Sequence, residues 1–187
     1  MSMNPETTLQ QLARVRQTRE SMAGVLRYRM ASHALGDRIR RYTPGGNAHA
    51  LNLLYQYASE EHQLRLRIRR KRAIARGEQA PVPLWRLTTT LAGGKKIAFD
   101  ITQGVTKTGS HETCDLLLPF PYISRQHLML STQFGGLFMQ DTGSTNGTSV
   151  NGKTVREALL KSGDRLSLAG YTFVVESCGK MNGVFVA

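Results

Sequence analysis

Residues 141–152 read Asp-Thr-Gly-Ser-Thr-Asn-Gly-Thr-Ser-Val-Asn-Gly. The stretch holds two Asn-Gly pairs, and this pair is typical of tight hairpin turns because both residues accept positive φ values at low cost. Asp141 and Thr148 flank the first pair with short polar side chains of the kind that fix turns by local hydrogen bonds. The stretch therefore predicts polar loops between closely spaced strands.

Short runs of β-branched and aromatic residues surround this stretch from about Pro83 onward, separated by Gly, Asn, Asp and Ser. Many short strands at regular spacing are typical of an antiparallel β-sandwich, so we predict a mainly β fold for this region. The predicted strands cover residues 84–90, 95–101, 105–108, 115–118, 127–131, 137–141, 165–168 and 171–176.

The chain before Pro83 has a helical pattern instead. Apolar residues at three- and four-residue spacing predict a first helix over residues 6–34. The sequence at 42–46 should break it, and Asn47 is a suitable N-cap for a second helix. That helix has an apolar face of Leu51, Leu54, Tyr55, Ala58 and His62. Two helices alone bury little area, so we expect them to lean on the sandwich or on another molecule.

The prolines at 81 and 83 indicate a linker over residues 77–83. We therefore predict two parts, a basic helical extension at 1–80 and a β-sandwich domain at 81–187.

The formal net charge of +12 lies mostly in the extension. Residues 1–80 carry 15 Lys+Arg and 6 Asp+Glu, which leaves 10 and 7 for residues 81–187. Six cations crowd into eight residues, and such mutual repulsion costs stability unless an acidic partner offsets it. We predict docking on RNA phosphate or on an acidic protein surface, with a solvated helix end as the alternative. The six are Arg65, Arg67, Arg69, Arg70, Lys71 and Arg72.

The sequence favours an intracellular protein. It has two cysteines and therefore no disulfide framework, and no apolar run of roughly 18 residues that could cross a bilayer. Residues 1–41 are rich in Arg and poor in acids. This composition fits either a mitochondrial transit peptide, which would place the protein in the matrix, or a basic helix that stays on the protein.

Three separated segments resemble the forkhead-associated (FHA) family, in the family's order. They are Gly109-Ser110 followed by Cys114-Asp115, the run Ile123-Ser124-Arg125-Gln126-His127, and the Asp141–Gly152 stretch. The resemblance covers residues 83–187 and leaves the extension unmatched. It implies an FHA-type β-sandwich that recognises partner proteins through loops, in many members by gripping a phosphothreonine.

The resemblance also implies roles for individual residues. Partner or phosphopeptide binding falls to Ser110, Ser124, Arg125, Thr145 and Asn146. Structural roles in the motif fall to Gly109, His127, Asp141, Gly147, Thr148, Asn151 and Gly152.

Ser110 departs from the family pattern, which has Arg at this place. A hydrogen bond to a charged group is worth roughly 1.5–3 kcal/mol, so its loss weakens phosphate binding on the order of ten- to a hundredfold. Lys107 and His111 are the candidate substitutes, although Lys offers a point charge rather than a planar fork. Two readings stay open: a structural subunit or adaptor of a large ribonucleoprotein or cytoskeletal assembly, and a signalling adaptor that reads phosphothreonine peptides.

Catalysis is not indicated. The glycines at 143–152 lack the Lys-Ser/Thr of a P-loop, and the five histidines lack metal-ligand spacing. Ser124 and His127 lie three residues apart at a strand entry, which should point their side chains to opposite faces. We expect no enzyme activity, no cofactor and no metal.

Overall fold

The computed structural model describes residues 10–21, 44–91, 93–133 and 135–178. These form two helices, α1 over residues 10–21 and α2 at Pro44–Ala75, followed by eleven strands. The strands are β1 Pro83–Thr90, β2 Lys96–Thr102, β3 Gly104–Gly109, β4 Leu116–Leu117, β5 Leu128–Gln133, β6 Gly136–Asp141, β7 Thr148–Val150, β8 Lys153–Thr154, β9 Glu157–Leu160, β10 Arg165–Leu168 and β11 Tyr171–Ser177.

The strands form two sheets that face each other across one apolar core. The six-stranded sheet has the order β2-β1-β11-β10-β7-β8, and the five-stranded sheet has the order β4-β3-β5-β6-β9. Strand residues alternate between the core and solvent, as in β6, where Leu137 and Met139 are fully buried while Phe138 is exposed. The predicted β-sandwich is confirmed, with one parallel exception, the β3–β4 pair.

Helix α2 is packed into this sandwich. Leu54, Tyr55 and Ala58 belong to the same buried core as the strands, and the Tyr55 ring lies 4.2 Å from that of Phe120. The apolar face predicted for the second helix is thus the face that leans on the sandwich.

The same helix covers the free edge of β2. Ser59 Oγ donates to the carbonyl of Ala98 at 2.8 Å, and His62 Nε2 lies 2.6 Å from the carbonyl of Asp100. Edge carbonyls without a neighbouring strand need such partners, since an open edge invites unwanted pairing. Polar side chains of α2 therefore take the place of a further strand.

Several predicted boundaries differ from the structure. Asn47 is not the N-cap, because α2 already begins at Pro44, and proline suits a first helical position since its missing N–H would have no helical partner. Eight of the eleven strands were predicted to within two residues at each end. The short strands β7, β8 and β9 were missed because two to four residues carry too little alternation to be recognised.

Other predictions have no test here. The first helix is confirmed only at 10–21; the rest of its predicted range, 6–9 and 22–34, and residues 42–43 of the predicted break lie outside the described residues. Residues 44–46 of that break are helical and form the first turn of α2. The division at residue 80 stays a prediction. Within the described part of the chain, no helix is long and apolar enough to cross a membrane.

Candidate functional site

Three loops meet at one end of the sandwich, at residues 110–115, 121–127 and 142–147. The first two approach each other closely at Gly109. A Cβ atom on Gly109 would lie 2.3 Å from the carbonyl oxygen of Arg125 and 2.9 Å from that of Ser124, closer than any side chain tolerates. Glycine is therefore required here by close backbone approach.

Backbone hydrogen bonds fasten the first two loops together. The Ser110 amide donates to the Ser124 carbonyl at 3.0 Å, and the His111 amide donates to the Arg125 carbonyl at 3.1 Å. Buried Cys114 adds a contact from Sγ to the same Arg125 carbonyl at 3.2 Å. The positions of Ser110 and Arg125 are consequently fixed relative to each other.

His127 braces the loops from inside and is fully buried. Its Nδ1 accepts the Ser124 amide at 3.2 Å, so Nε2 carries the proton and donates to the Gly147 carbonyl, also at 3.2 Å. Burial, the largest cause, lowers the pKa of His127 below its ordinary value. A neutral ring that both accepts and donates therefore joins the 121–127 loop to the 142–147 loop. The partner of Ser124 Oγ is the Thr145 amide and not the His127 ring, so these two side chains are not arranged as a nucleophile and its base.

Asp141 organises the third loop. Its Oδ1 accepts the amides of Gly143 and Ser144 at 2.9 and 2.7 Å, and its Oδ2 accepts the hydroxyls of Ser144 and Thr148, each at 2.6 Å. Burial alone would raise the pKa of Asp141, but these hydrogen bonds outweigh it and hold the pKa below its usual range. The loop is thus closed around an ionised carboxylate.

The third loop is tied to the second through side chains. Ser124 Oγ accepts the Thr145 amide at 3.0 Å, and Asn146 Nδ2 donates to the Tyr122 carbonyl at 2.9 Å. Tyr122 has a positive φ of 68°. Its part in the site was not predicted, because only the proline before it hinted at a turn.

The second Asn-Gly pair has a structural place beyond the loops. Asn151 and Gly152 adopt φ values of 52° and 81°, and Gly147 one of 74°, as predicted for tight turns. Asn151 Nδ2 donates to Asp164 Oδ1 at 2.9 Å, and Asn151 Oδ1 accepts the Arg165 amide. The side chain therefore joins the β7–β8 turn to the start of β10.

The residues predicted to touch a partner remain accessible. Arg125, Thr145 and Asn146 are exposed, and Ser124 and Ser110 are half-buried. The Arg125 guanidinium makes no hydrogen bond or ion pair with any described residue, whereas its carbonyl oxygen is held by the His111 amide and Cys114 Sγ. The loops therefore present one free charged fork beside three hydroxyls and an amide, which suits recognition of an anionic, hydrogen-bonding ligand.

The family model for the FHA domain matches residues 106–169, which hold all three loops. Residues 106–169 are thus an FHA domain. Among curated relatives, it is 33% identical over 76 residues to the glycogen accumulation regulator GarA of Mycolicibacterium smegmatis, covering 41% of this chain and 48% of the relative. It is 32% identical over 76 residues to an oxoglutarate dehydrogenase inhibitor of Corynebacterium diphtheriae, covering 41% and 53%.

The match to these relatives is partial, since the chain spans about half the length of each. Among solved structures, the FhaA FHA domain complexed with the intracellular domain of Rv3910 is 27% identical, with coverage of 49% of this chain and 99% of that chain and a TM-score of 0.45.

The six cations at residues 65–72 of α2 do not all face solvent. Arg65 points inward, since its guanidinium donates to the Cys114 carbonyl at 2.9 Å and pairs with Glu61. Arg69 is exposed and only 3.7 Å from Asp115 Oδ1, a weak surface pair. Arg67, Arg70, Lys71 and Arg72 are exposed. The prediction that all six cations face an external partner therefore does not hold for Arg65, which the FHA domain itself engages.

No group of three or more His, Cys, Asp or Glu side chains within the described ranges could hold a metal ion. The buried thiol of Cys114 has a pKa raised by desolvation, and a protonated thiol is a poor nucleophile.

Proposed function

We propose that the FHA domain binds a phosphothreonine-bearing segment of a partner protein, and that the protein acts as a non-catalytic regulator or adaptor. The observation that carries the proposal is Arg125: its exposed guanidinium has no partner among the described residues, and its backbone carbonyl is held by the His111 amide and Cys114 Sγ. The fixed backbone sets where this guanidinium can reach, and its planar fork suits bidentate hydrogen bonding to a phosphate.

The neighbouring groups support this function. Ser124 Oγ accepts the Thr145 amide, so its own hydroxyl proton is free to be donated outward. The exposed Thr145 hydroxyl lies next to it along the loop. Together with Arg125 these groups supply both charge and directed donors for phosphate oxygens.

Ser110 sets the expected strength. It is held in place by its amide but offers a hydroxyl where the family offers Arg. We therefore propose binding that is phosphate-dependent and weak, about ten- to a hundredfold below a domain with Arg at this position.

The test is a titration of the full chain with phosphothreonine peptides and their unphosphorylated twins. We expect saturable binding of the phosphorylated peptide alone, its loss in Ser124→Ala and Arg125→Ala, and a gain in Ser110→Arg. If the phosphorylated and plain peptides bind equally in the wild type and in Ser110→Arg, the domain docks partners without reading phosphate.

We also propose a second contact, in which the exposed cations of α2 dock on RNA or on an acidic protein surface of an assembly. The supporting observation is that Arg67, Arg70 and Arg72 are exposed on one helix with no described partner. Their joint replacement by Ala should weaken binding to an RNA homopolymer or to an acidic polypeptide, and raised salt should do the same. Equal binding by wild type and triple variant to both polymers would contradict this contact.

The contact of α1 with the rest of the protein favours the retained basic helix over a removed transit peptide. Arg16 and Arg19 both pair with buried Glu61, and cleavage beyond them would leave that carboxylate with fewer partners.

A further inference from the structure

The 110–115 loop is held by the helices as well as by the FHA domain. Arg65 of α2 donates from Nη1 to the carbonyls of Cys114 at 2.9 Å and Glu112 at 3.4 Å. Arg19 of α1 lies 3.8 Å from the Glu112 carboxylate. Two arginines from outside the family motif thus contact the loop in which the motif departs from its family.

Glu61 fixes the orientation of Arg65. This carboxylate is 1% exposed and has three arginines around it, with Arg65 Nη2 at 2.7 Å, Arg19 Nη1 at 2.8 Å and Arg16 Nε at 3.1 Å. Glu61 also accepts Arg65 Nε at 3.0 Å, so two nitrogens of one guanidinium face the same carboxylate. A planar fork held in this way directs its Nη1 group toward the loop carbonyls.

Hydrogen bonds connect the 110–115 loop to the recognition residues. Its turn is closed by the Cys114 amide donating to the His111 carbonyl at 3.0 Å. On the other side, the amides of Ser110 and His111 bond the carbonyls of Ser124 and Arg125. A displacement of Cys114 would therefore move the Arg125 carbonyl directly, and would move Ser110 through the neighbouring His111.

We propose that Arg65, oriented by Glu61, is a positioning residue of the phosphopeptide site, and that the helical extension is part of the recognition unit. The expected effect on peptide binding rests on the proposed function. Its structural consequence, an ordered 110–115 loop, does not depend on any ligand. Because coupling is reciprocal, peptide bound at the loops should also strengthen the docking of α2.

The test uses the full chain and three variants, Arg65→Ala, Arg65→Lys and Glu61→Gln. The matched control is Arg76→Ala, which removes an equal charge near the same end of α2. Arg76 is exposed and pairs only with Glu78 and its own helix within the described residues. Amide hydrogen exchange at Ser110 and His111 is measured without ligand, and peptide affinity is measured well below the melting temperature of each variant.

For Arg65→Ala we expect exchange at the two amides to speed up about tenfold or more and the peptide Kd to rise about three- to tenfold, since a charge-assisted hydrogen bond is lost. For Arg65→Lys, the exchange rates and the peptide Kd should lie between those of the wild type and Arg65→Ala. For Arg76→Ala, both should match the wild type. Should Arg65→Ala fail to fold, Arg65→Lys and Glu61→Gln carry the same two measurements.

The proposal is overturned if exchange at Ser110 and His111 is unchanged in the folded Arg65 variants. It is also overturned if exchange changes while Arg65 and Arg76 variants bind the peptide with equal affinity. If the wild type binds no phosphopeptide, the proposed function fails by itself, and the affinity measurement is then made in the Ser110→Arg background.

Discussion

Replacement of Gly109 by alanine tests how tightly the recognition loops are packed. The added Cβ would meet the Arg125 carbonyl oxygen at 2.3 Å, the Arg125 carbonyl carbon at 2.8 Å and the Ser124 carbonyl oxygen at 2.9 Å. All three atoms belong to the backbone, so no side chain can turn away to relieve the clash. Either β3 or the 121–127 loop must move.

The cost has two parts. Overpacking of a well-packed site costs about 1–3 kcal/mol. The same movement breaks the amide bonds of Ser110 to Ser124 and of His111 to Arg125, each worth about 1 kcal/mol. We expect a loss of about 3–5 kcal/mol, which lowers the melting temperature of a chain of this size by about 6–20 °C.

The assay is thermal unfolding followed by circular dichroism, together with peptide titration. Ser110→Ala is the control, since it changes the neighbouring side chain and leaves both amide bonds in place. It should melt within about 2 °C of the wild type. A Gly109→Ala variant that melts as the wild type does would refute the close approach of the two loops.

Three further predictions concern the rest of the molecule. Burial lowers the pKa of both His62 and His127. Such a histidine contributes stability above its ordinary pKa of about 6.5, and this stability is lost as the pH falls through the lowered pKa of the folded state. Denaturant unfolding should therefore show the free energy of unfolding dropping from pH 7 to pH 5, and a His127→Gln variant should show a smaller drop. Asp141→Asn should cost about 1–3 kcal/mol and weaken peptide binding, because an amide cannot accept all four hydrogen bonds, and a wild-type unfolding midpoint in this variant would contradict the role of the carboxylate. Leu54→Ala should destabilise the FHA domain by about 2–5 kcal/mol as a core cavity does, whereas a midpoint unchanged for the strands would mean that α2 unfolds separately.

Much of the fold could be predicted from the sequence, because turn chemistry and strand alternation are local signals. Gly147, Asn151 and Gly152 of the two Asn-Gly pairs have the positive φ values typical of tight turns, whereas Asn146 does not. The strands β7 and β9 escaped prediction since they pair with β10 and β6, which are distant in sequence, and β8 escaped because it is only two exposed polar residues. Contacts between residues distant in sequence also decide where α2 packs. The sequence therefore predicted that α2 leans on the sandwich but did not identify the edge of β2 as the place of contact.

The residues of the candidate site could be predicted from the sequence, but the contacts among them could not. Ser124 and Asn146 were expected to face a partner, yet each also joins two loops, through the Thr145 amide and the Tyr122 carbonyl. Arg65 was placed with the external cations because charge density along the chain does not reveal which arginine meets a buried glutamate. The direction of a side chain depends on tertiary packing, which charge spacing cannot show.

The central claim is that the loops around Arg125 read phosphate, weakly, because Ser110 replaces an arginine. Calorimetric titration of one phosphothreonine peptide into the full wild-type chain, Ser110→Arg and Arg125→Ala tests it most directly. We expect Ser110→Arg to bind about ten- to a hundredfold more tightly than the wild type and Arg125→Ala not to bind measurably. Equal affinity in all three, or equal affinity for the unphosphorylated peptide, would contradict the account.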